Sequence, residues 1–201
     1  MTAVLRYGGS AALVETSDVL GFQAALELSL PVGVVELVPA AQTLLVRYDP
    51  SATSWDALAS ALGSVSSVDS AAGSSATVTL PVRYDGADLD AVAAASSLTS
   101  AEVVRRHSSA TYVAAFCGFA PGFAYLTGLD PALRLPRRPT PRTRVPSGAV
   151  AIAGDYTAVY PHPSPGGWHL LGHTDARVWD VERARPNLLV PGTRVRFEVL
   201  R

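Results

Sequence analysis

Residues 63–76, GSVSSVDSAAGSSA, constrain the fold more than any other stretch. They are small and polar, with no apolar period that could seat a strand or helix in a core. Such a tract reads as a linker, so the sequence predicts two units, 1–75 and 76–201. With 201 residues that are 48% hydrophobic and 16% charged, there is enough apolar material for a core on each side.

The first side alternates short strands and helices. Ala3 to Tyr7 and Ala12 to Glu15 read as a hairpin turned by Gly8, Gly9 and Ser10. Asp18 caps a helix to about Leu30, with Leu20, Ala24 and Leu28 as its apolar stripe. Strands follow at Val34 to Val38 and Thr43 to Tyr48, then a short helix from the Ser54 cap to Gly63. The second side differs. A strand at Thr77 to Tyr84 precedes two short helices begun by Asp88 and Thr99, the latter with a capping box to Glu102. Tyr112 to Phe116 is a strand, and beyond Cys117 the chain is rich in glycine and proline. The final TRVRFEVL alternates, with Val195, Phe197 and Val199 predicted inward. The fold class is therefore α+β: a small N-terminal α+β domain followed by a β-barrel or sandwich.

Charge and composition exclude several functions. The net charge of −1 argues against nucleic-acid and anionic-membrane binding. All 16 basic residues are arginine, so lysine Schiff bases, a P-loop lysine and biotin attachment are excluded. Cys117, the one cysteine, forms neither an internal disulfide nor a thiolate zinc site. With no signal peptide and no long apolar run, the expected location is cytoplasmic.

Three blocks hold the candidate chemistry. GFAPGFAYL at 118–126 sets Gly118 and Gly122 around Pro121, with Phe119, Phe123 and Tyr125 alongside. It reads equally as an ordered functional loop or as a barrel corner packed with aromatics. PRRPTPRTRVPSGAVAIAG at 136–154 presents Arg137, Arg138, Arg142 and Arg144 on a proline-stiffened loop, and ends in a strand that reads as buried. Guanidinium forks suit carboxylate or phosphate, although a solvated arginine face has the same composition. YPHPSPGGWHLLGHT at 160–174 carries His169 and His173 on a predicted strand whose positions 169, 171 and 173 share a face. No carboxylate or thiol completes a zinc set there. Ser164 and the amides of Gly166 and Gly167 are candidates to line an anion or substrate pocket, with Trp168 as a wall. His107, near the end of the second capped helix, is a further candidate proton carrier, although a lone helical histidine is more often a surface or core residue.

In this order and spacing, the three blocks resemble the allophanate hydrolase subunit 1 family. Its members include the B component of 5-oxoprolinase and KipI-type inhibitors of histidine kinases. GVVELVPA at 33–40, LVRYDP at 45–50, PVRYDGADLD at 81–90 and PGTRVRF at 191–197 extend the resemblance over the chain. The resemblance implies a C-terminal cyclophilin-like β-barrel. It also implies a subunit of an ATP-dependent 5-oxoprolinase, inactive alone, using Mg-ATP at the level of the complex. The implied partners are the homologous C component (allophanate hydrolase subunit 2 family) and a third subunit. The alternatives it leaves are a kinase inhibitor and a urea carboxylase or allophanate hydrolase-type carboxyltransferase component. Carried onto this chain, the family motifs fall on Gly118, Pro121, Gly122, Arg137, Arg138, Arg142, Pro146, Gly148, Ser164, Gly166, Gly167 and Trp168. Arg137 and Arg142 are implied binders of substrate or nucleotide; Arg138, His107 and His173 are the catalytic candidates. Two positions depart: His173 stands where many relatives have arginine, and Ser147-Gly148-Ala149 where many read Ala-Gly-Ser.

Overall fold

The computed structural model describes residues 2–68 and 77–200 and divides into two compact units, 1–75 and 76–201. Residues 69–76 of the expected linker lie outside the described residues. Residues 63–68 are not linker but part of the first unit: Val65 packs on its core and the Val68 amide donates to the Gly21 carbonyl.

The first unit consists of β1 (Ala3–Tyr7), β2 (Ala11–Glu15), α1 (Val19–Leu28), β3 (Val34–Pro39), β4 (Thr43–Tyr48) and α2 (Trp55–Gly63). The strands form an antiparallel sheet in the order β1-β2-β4-β3. Asp18 and Ser54 cap the two helices through their side chains. The apolar stripe of α1 differs from the expected one. Val19, Phe22 and Leu26 are buried, whereas Leu28 is 79% exposed. Leu20, Ala24 and Leu28 are a valid i, i+4, i+8 set, but Phe22 offers more area to bury and turns the helix about its axis.

The second unit is built around β5 (Thr77–Val82), α3 (Leu89–Ala95), α4 (Ser100–Ser109), β6 (Tyr112–Cys117), β7 (Ala124–Thr127), β8 (Arg142–Val145), β9 (Ala149–Ala153), β10 (Tyr156–Val159), β11 (Ser164–Gly166), β12 (His169–His173) and β13 (Arg194–Val199). Seven strands follow the order β12-β9-β10-β7-β6-β13-β5, with β13 and β5 parallel and the other pairs antiparallel. The ends meet where Arg83 and His173 exchange both backbone hydrogen bonds at 2.8 Å. That exchange makes the sheet a barrel and leaves β12 no open edge there. The α+β class and the barrel expected from the sequence are both present. β8 and β11 form a separate two-stranded ribbon.

Three local expectations fail for identifiable reasons. Val199 is 43% exposed: it lies near the chain end, while Val195 and Phe197 fill the interior. The box at α4 is half formed: Thr99 Oγ accepts from the Glu102 amide, but the Glu102 carboxylate turns to Arg105 and Arg106. These two guanidinium bonds hold Glu102 well below the usual range, at about 2. Finally, a bulge between Leu170 and Gly172 shifts β12 by one residue. His169 then pairs with Ile152 and His173 with Ala149, three residues apart on β9, so the two histidines lie on opposite faces.

Candidate functional site

β9 shows how the barrel divides its two faces. Val150 and Ile152 point into the interior with Leu80, Val82, Leu126 and Phe197. Ala149, Ala151 and Ala153 point outward, beneath Phe123, Tyr160, Trp168 and Leu170. Alanines on the outer face leave room for aromatic rings, and those rings meet edge to face: Phe123 lies 5.2 Å from Tyr160 and 5.5 Å from Trp168. The candidate site is built on this outer face.

Beside the aromatic layer is a cleft of about 300 Å³, lined by Ser147, Gly148, Tyr160, His173, Asp175, Arg177 and Trp179 among others. Two glycines shape it. Gly148 has φ +79°, and a methyl group there would overlap the Thr174 carbonyl and lie 2.7 Å from His173 Nε2. Gly122 has φ +80°, and a methyl group there would lie 2.5 Å from Trp179 Cβ. His173 Nδ1 is 3.6 Å from Asp175 Oδ1. Nδ1 thus faces the Asp175 carboxylate, and Nε2 lies on the Gly148 side of the cleft.

The arginine loop is anchored by Asp88, whose role the sequence does not announce. Asp88 is 2% exposed and gives α3 no side-chain cap bond. Instead Oδ1 accepts from Arg138 and from Arg142 Nη2 (2.8 Å), while Oδ2 accepts from Arg142 Nη1 and the Leu170 amide, both at 2.8 Å. Burial alone would raise the carboxyl. The Arg142 hydrogen bonds, the Leu170 amide and the charges of Arg142 and Arg138 outweigh it, so Asp88 titrates below its ordinary value. Arg138 and Arg142 are thus held internally. Two guanidiniums on one carboxylate leave the cluster one net positive charge, with Arg137 and Arg144 exposed nearby in sequence.

The remaining predicted residues sort as follows. Ser164 and Gly166 are ladder residues of β11, paired with Val145 and Arg142, and neither lines the cleft. The Gly167 carbonyl accepts from the Arg138 amide, and Trp168 is 5% exposed inside the aromatic layer rather than a free wall. Pro146 opens the turn that carries Gly148 into the cleft. Gly118, Pro121 and Gly122 belong to a tight loop in which Phe123 and Tyr125 are packed, while Phe119 is 61% exposed.

His107 is not part of this site. It is fully buried in the barrel interior, stacked on Phe197 at 4.7 Å. The Thr157 hydroxyl donates to the Ala151 carbonyl, so it accepts from His107 Nε2 at 2.8 Å; Nδ1 then accepts from Tyr84 at 2.8 Å. Both nitrogens are satisfied, and burial pushes the imidazole down to about 3. Fully buried and hydrogen-bonded through both nitrogens, His107 is placed as a core residue away from the cleft. Among the described residues, no three His, Cys, Asp or Glu side chains converge as a metal site requires. No helix among them is long and apolar enough to cross a membrane.

The family profile described as "Carboxyltransferase domain, subdomain C and D" matches residues 2–189. The B component of 5-oxoprolinase from Escherichia coli O157:H7 is 50% identical over 123 residues, which cover 60% of this chain and 56% of that protein. The chain spans little more than half the length of the curated relatives it matches. A conserved uncharacterized protein from Pyrococcus horikoshii is 36% identical with a TM-score of 0.60, covering 98% of this chain and 97% of that one. The urea carboxylase of Kluyveromyces lactis shares the fold, with a TM-score of 0.71 at 22% identity over 100% of this chain and 22% of that chain.

Proposed function

Since the chain belongs to the carboxyltransferase domain, subdomain C and D family, we propose that it works as the B component of an ATP-dependent 5-oxoprolinase. In that role it converts 5-oxoproline, ATP and water to glutamate, ADP and phosphate, together with a homologous C component and a third subunit. The observation that carries this reading is the 50% identity to a protein named as the B component of 5-oxoprolinase. The outer-face cleft supports it chemically, because a cation, a titratable imidazole and two aromatic walls suit a small anionic ring compound.

A lactam carbonyl is a poor electrophile; ATP would activate it by transferring its γ-phosphoryl group to the carbonyl oxygen with ADP leaving. One water would then add to the carbonyl carbon as the C–N bond breaks, and a second water would release phosphate from the resulting acyl phosphate. ATP and its magnesium belong to the assembled system: this chain has no lysine and no Walker A motif to hold them. In this chain, Nε2 of His173 takes a proton from the attacking water or returns it to the departing ring nitrogen. Arg177, the cation of the cleft lining, stabilises developing negative charge, while Arg137, whose charge acts on Tyr160, and the Asp88-bound pair Arg138 and Arg142 supply a positive field. The chain alone is expected to be inactive.

The test mixes the chain with its candidate partner subunits and follows glutamate release from 5-oxoproline. Glutamate that needs ATP and every subunit is the expected result. A stable complex that releases none would overturn the reading and favour a urea-type carboxyl transfer, the chemistry suggested by the family's description.

A further inference from the structure

The loop between β6 and β7 contains an expense that packing does not explain. The Ala120 amide donates to the Gly118 carbonyl at 2.8 Å, which closes a three-residue γ-turn with Phe119 at its centre. Phe119 has φ +68°, a region that bulky residues avoid and that carries strain on the order of 1–3 kcal/mol. Among the described residues, the other non-glycine in this region is Ser97. Asparagine or glycine at position 119 would remove the strain. The ring is not held there for burial either, since it is 61% exposed.

The loop is rigid and directed. The Gly118 amide donates to the Phe123 carbonyl and the Phe123 amide to the Ala120 carbonyl, at 3.1 and 3.0 Å. Its Gly122 packs on Trp179, and the Phe119 ring stands edge to face with Phe123 at 5.2 Å and Tyr160 at 6.4 Å. Trp179 and Tyr160 both line the 300 Å³ cleft. A strained turn therefore sets an exposed aromatic beside one cleft wall, Tyr160, on a loop whose Gly122 packs against another, Trp179.

We infer that Phe119 is a ligand-contacting residue of this cleft, forming its outer aromatic wall against a planar cyclic amide or imide. The ligand class rests on the 5-oxoprolinase reading, whereas the wall itself rests on the turn, the exposure, the Tyr160 neighbour and the seat of the loop on Trp179. A flat amide ring fits such a wall because its faces are apolar enough to stack, while its edge keeps its polar atoms for the His173 side of the cleft.

The test measures binding of 5-oxoproline, succinimide and hydantoin by saturation-transfer NMR, using the full chain assembled with its partner subunits. Wild type is compared with Phe119→Gly and Phe119→Asn, both of which tolerate the turn. The expected result is binding of at least one ring, weakened about 10-fold in both variants, with a melting temperature equal to or above that of wild type. Phe119-dependent binding of succinimide or hydantoin without 5-oxoproline would sink the oxoprolinase reading and leave this inference standing. Equal binding by wild type and variants would overturn the inference alone. So would weakened subunit assembly with unchanged ring binding, which would make Phe119 a partner contact, or no ring binding at all.

Discussion

Two of the second unit's four histidines, His107 and His173, occupy opposite sides of one barrel wall and teach different things. His107 lies in the interior, stacked on Phe197, with both nitrogens committed to Tyr84 and Thr157. His173 lies at the cleft, one nitrogen toward Asp175 and the other beside Gly148. The same contrast runs along β9, where valine and isoleucine fill the interior and alanines make room for rings outside. The inner face uses its polar groups to fix a unique packing; the outer face leaves some available for chemistry.

The strongest way to break this division is to remove the carboxylate that organises the outer face. Asp88→Ala leaves Arg138 and Arg142 without their acceptor and the Leu170 amide without its partner. Loss of a buried, multiply bonded partner is expected to cost about 3–5 kcal/mol in urea unfolding. A loss below about 1 kcal/mol would mean that the arginines find solvent without penalty.

Gly148→Ala comes next, with an expected loss of about 2–3 kcal/mol, because the added methyl meets both an unfavourable φ and the Thr174 carbonyl. Its crystal structure should show His173 displaced and the cleft reduced. An unshifted His173 would contradict the claim that this glycine shapes the cleft.

An effect smaller per pH unit separates the inner histidine. Its folded value of about 3 lies below the ordinary 6.5, so the unfolded chain binds the extra proton between those values. Stability is therefore complete above about pH 6.5 and declines as pH falls toward 3, by up to about 1.4 kcal/mol per pH unit. Asp88, titrating below its ordinary value, adds its own loss only at the acid end, as pH falls below about 4. His107→Gln should flatten the decline between about pH 6.5 and 4.5 in thermal melts; a parallel curve would assign the decline to other groups. The smallest effect belongs to the exposed Glu36–Arg47 pair, where Arg47→Ala should change stability by about 0.5 kcal/mol or less.

Much of the fold is legible in the sequence because its signals are local. Asp18, Ser54 and Thr99 cap the helices they predict, and AVAIA at 149–153 is the wholly buried strand it reads as. What fails depends on long-range geometry. Asp88 reads as a helix cap, yet its carboxylate is drawn 54 residues along the chain to Arg142. A one-residue bulge separates His169 from His173, a shift that no periodicity records. His107 reads as a surface residue, a core residue or a proton carrier because a helical histidine carries no mark of burial; only the closing of the barrel around Tyr84, Thr157 and Phe197 supplies it. Within the candidate site, Gly148 and His173 come from the motifs, while Asp175, Arg177 and Trp179 have no signal beyond proximity to them.

The most direct test measures both histidines in the reconstituted system. Glutamate release and melting temperature are compared for wild type, His173→Gln and His107→Gln at about pH 7.5, where the inner imidazole is neutral whether the chain is folded or not. The account predicts that His173→Gln loses at least about 100-fold in kcat with an unchanged melting temperature, and that His107→Gln melts earlier with its kcat retained. A His173→Gln variant that turns over at the wild-type rate, or a His107→Gln variant that is stable but inactive, would contradict it.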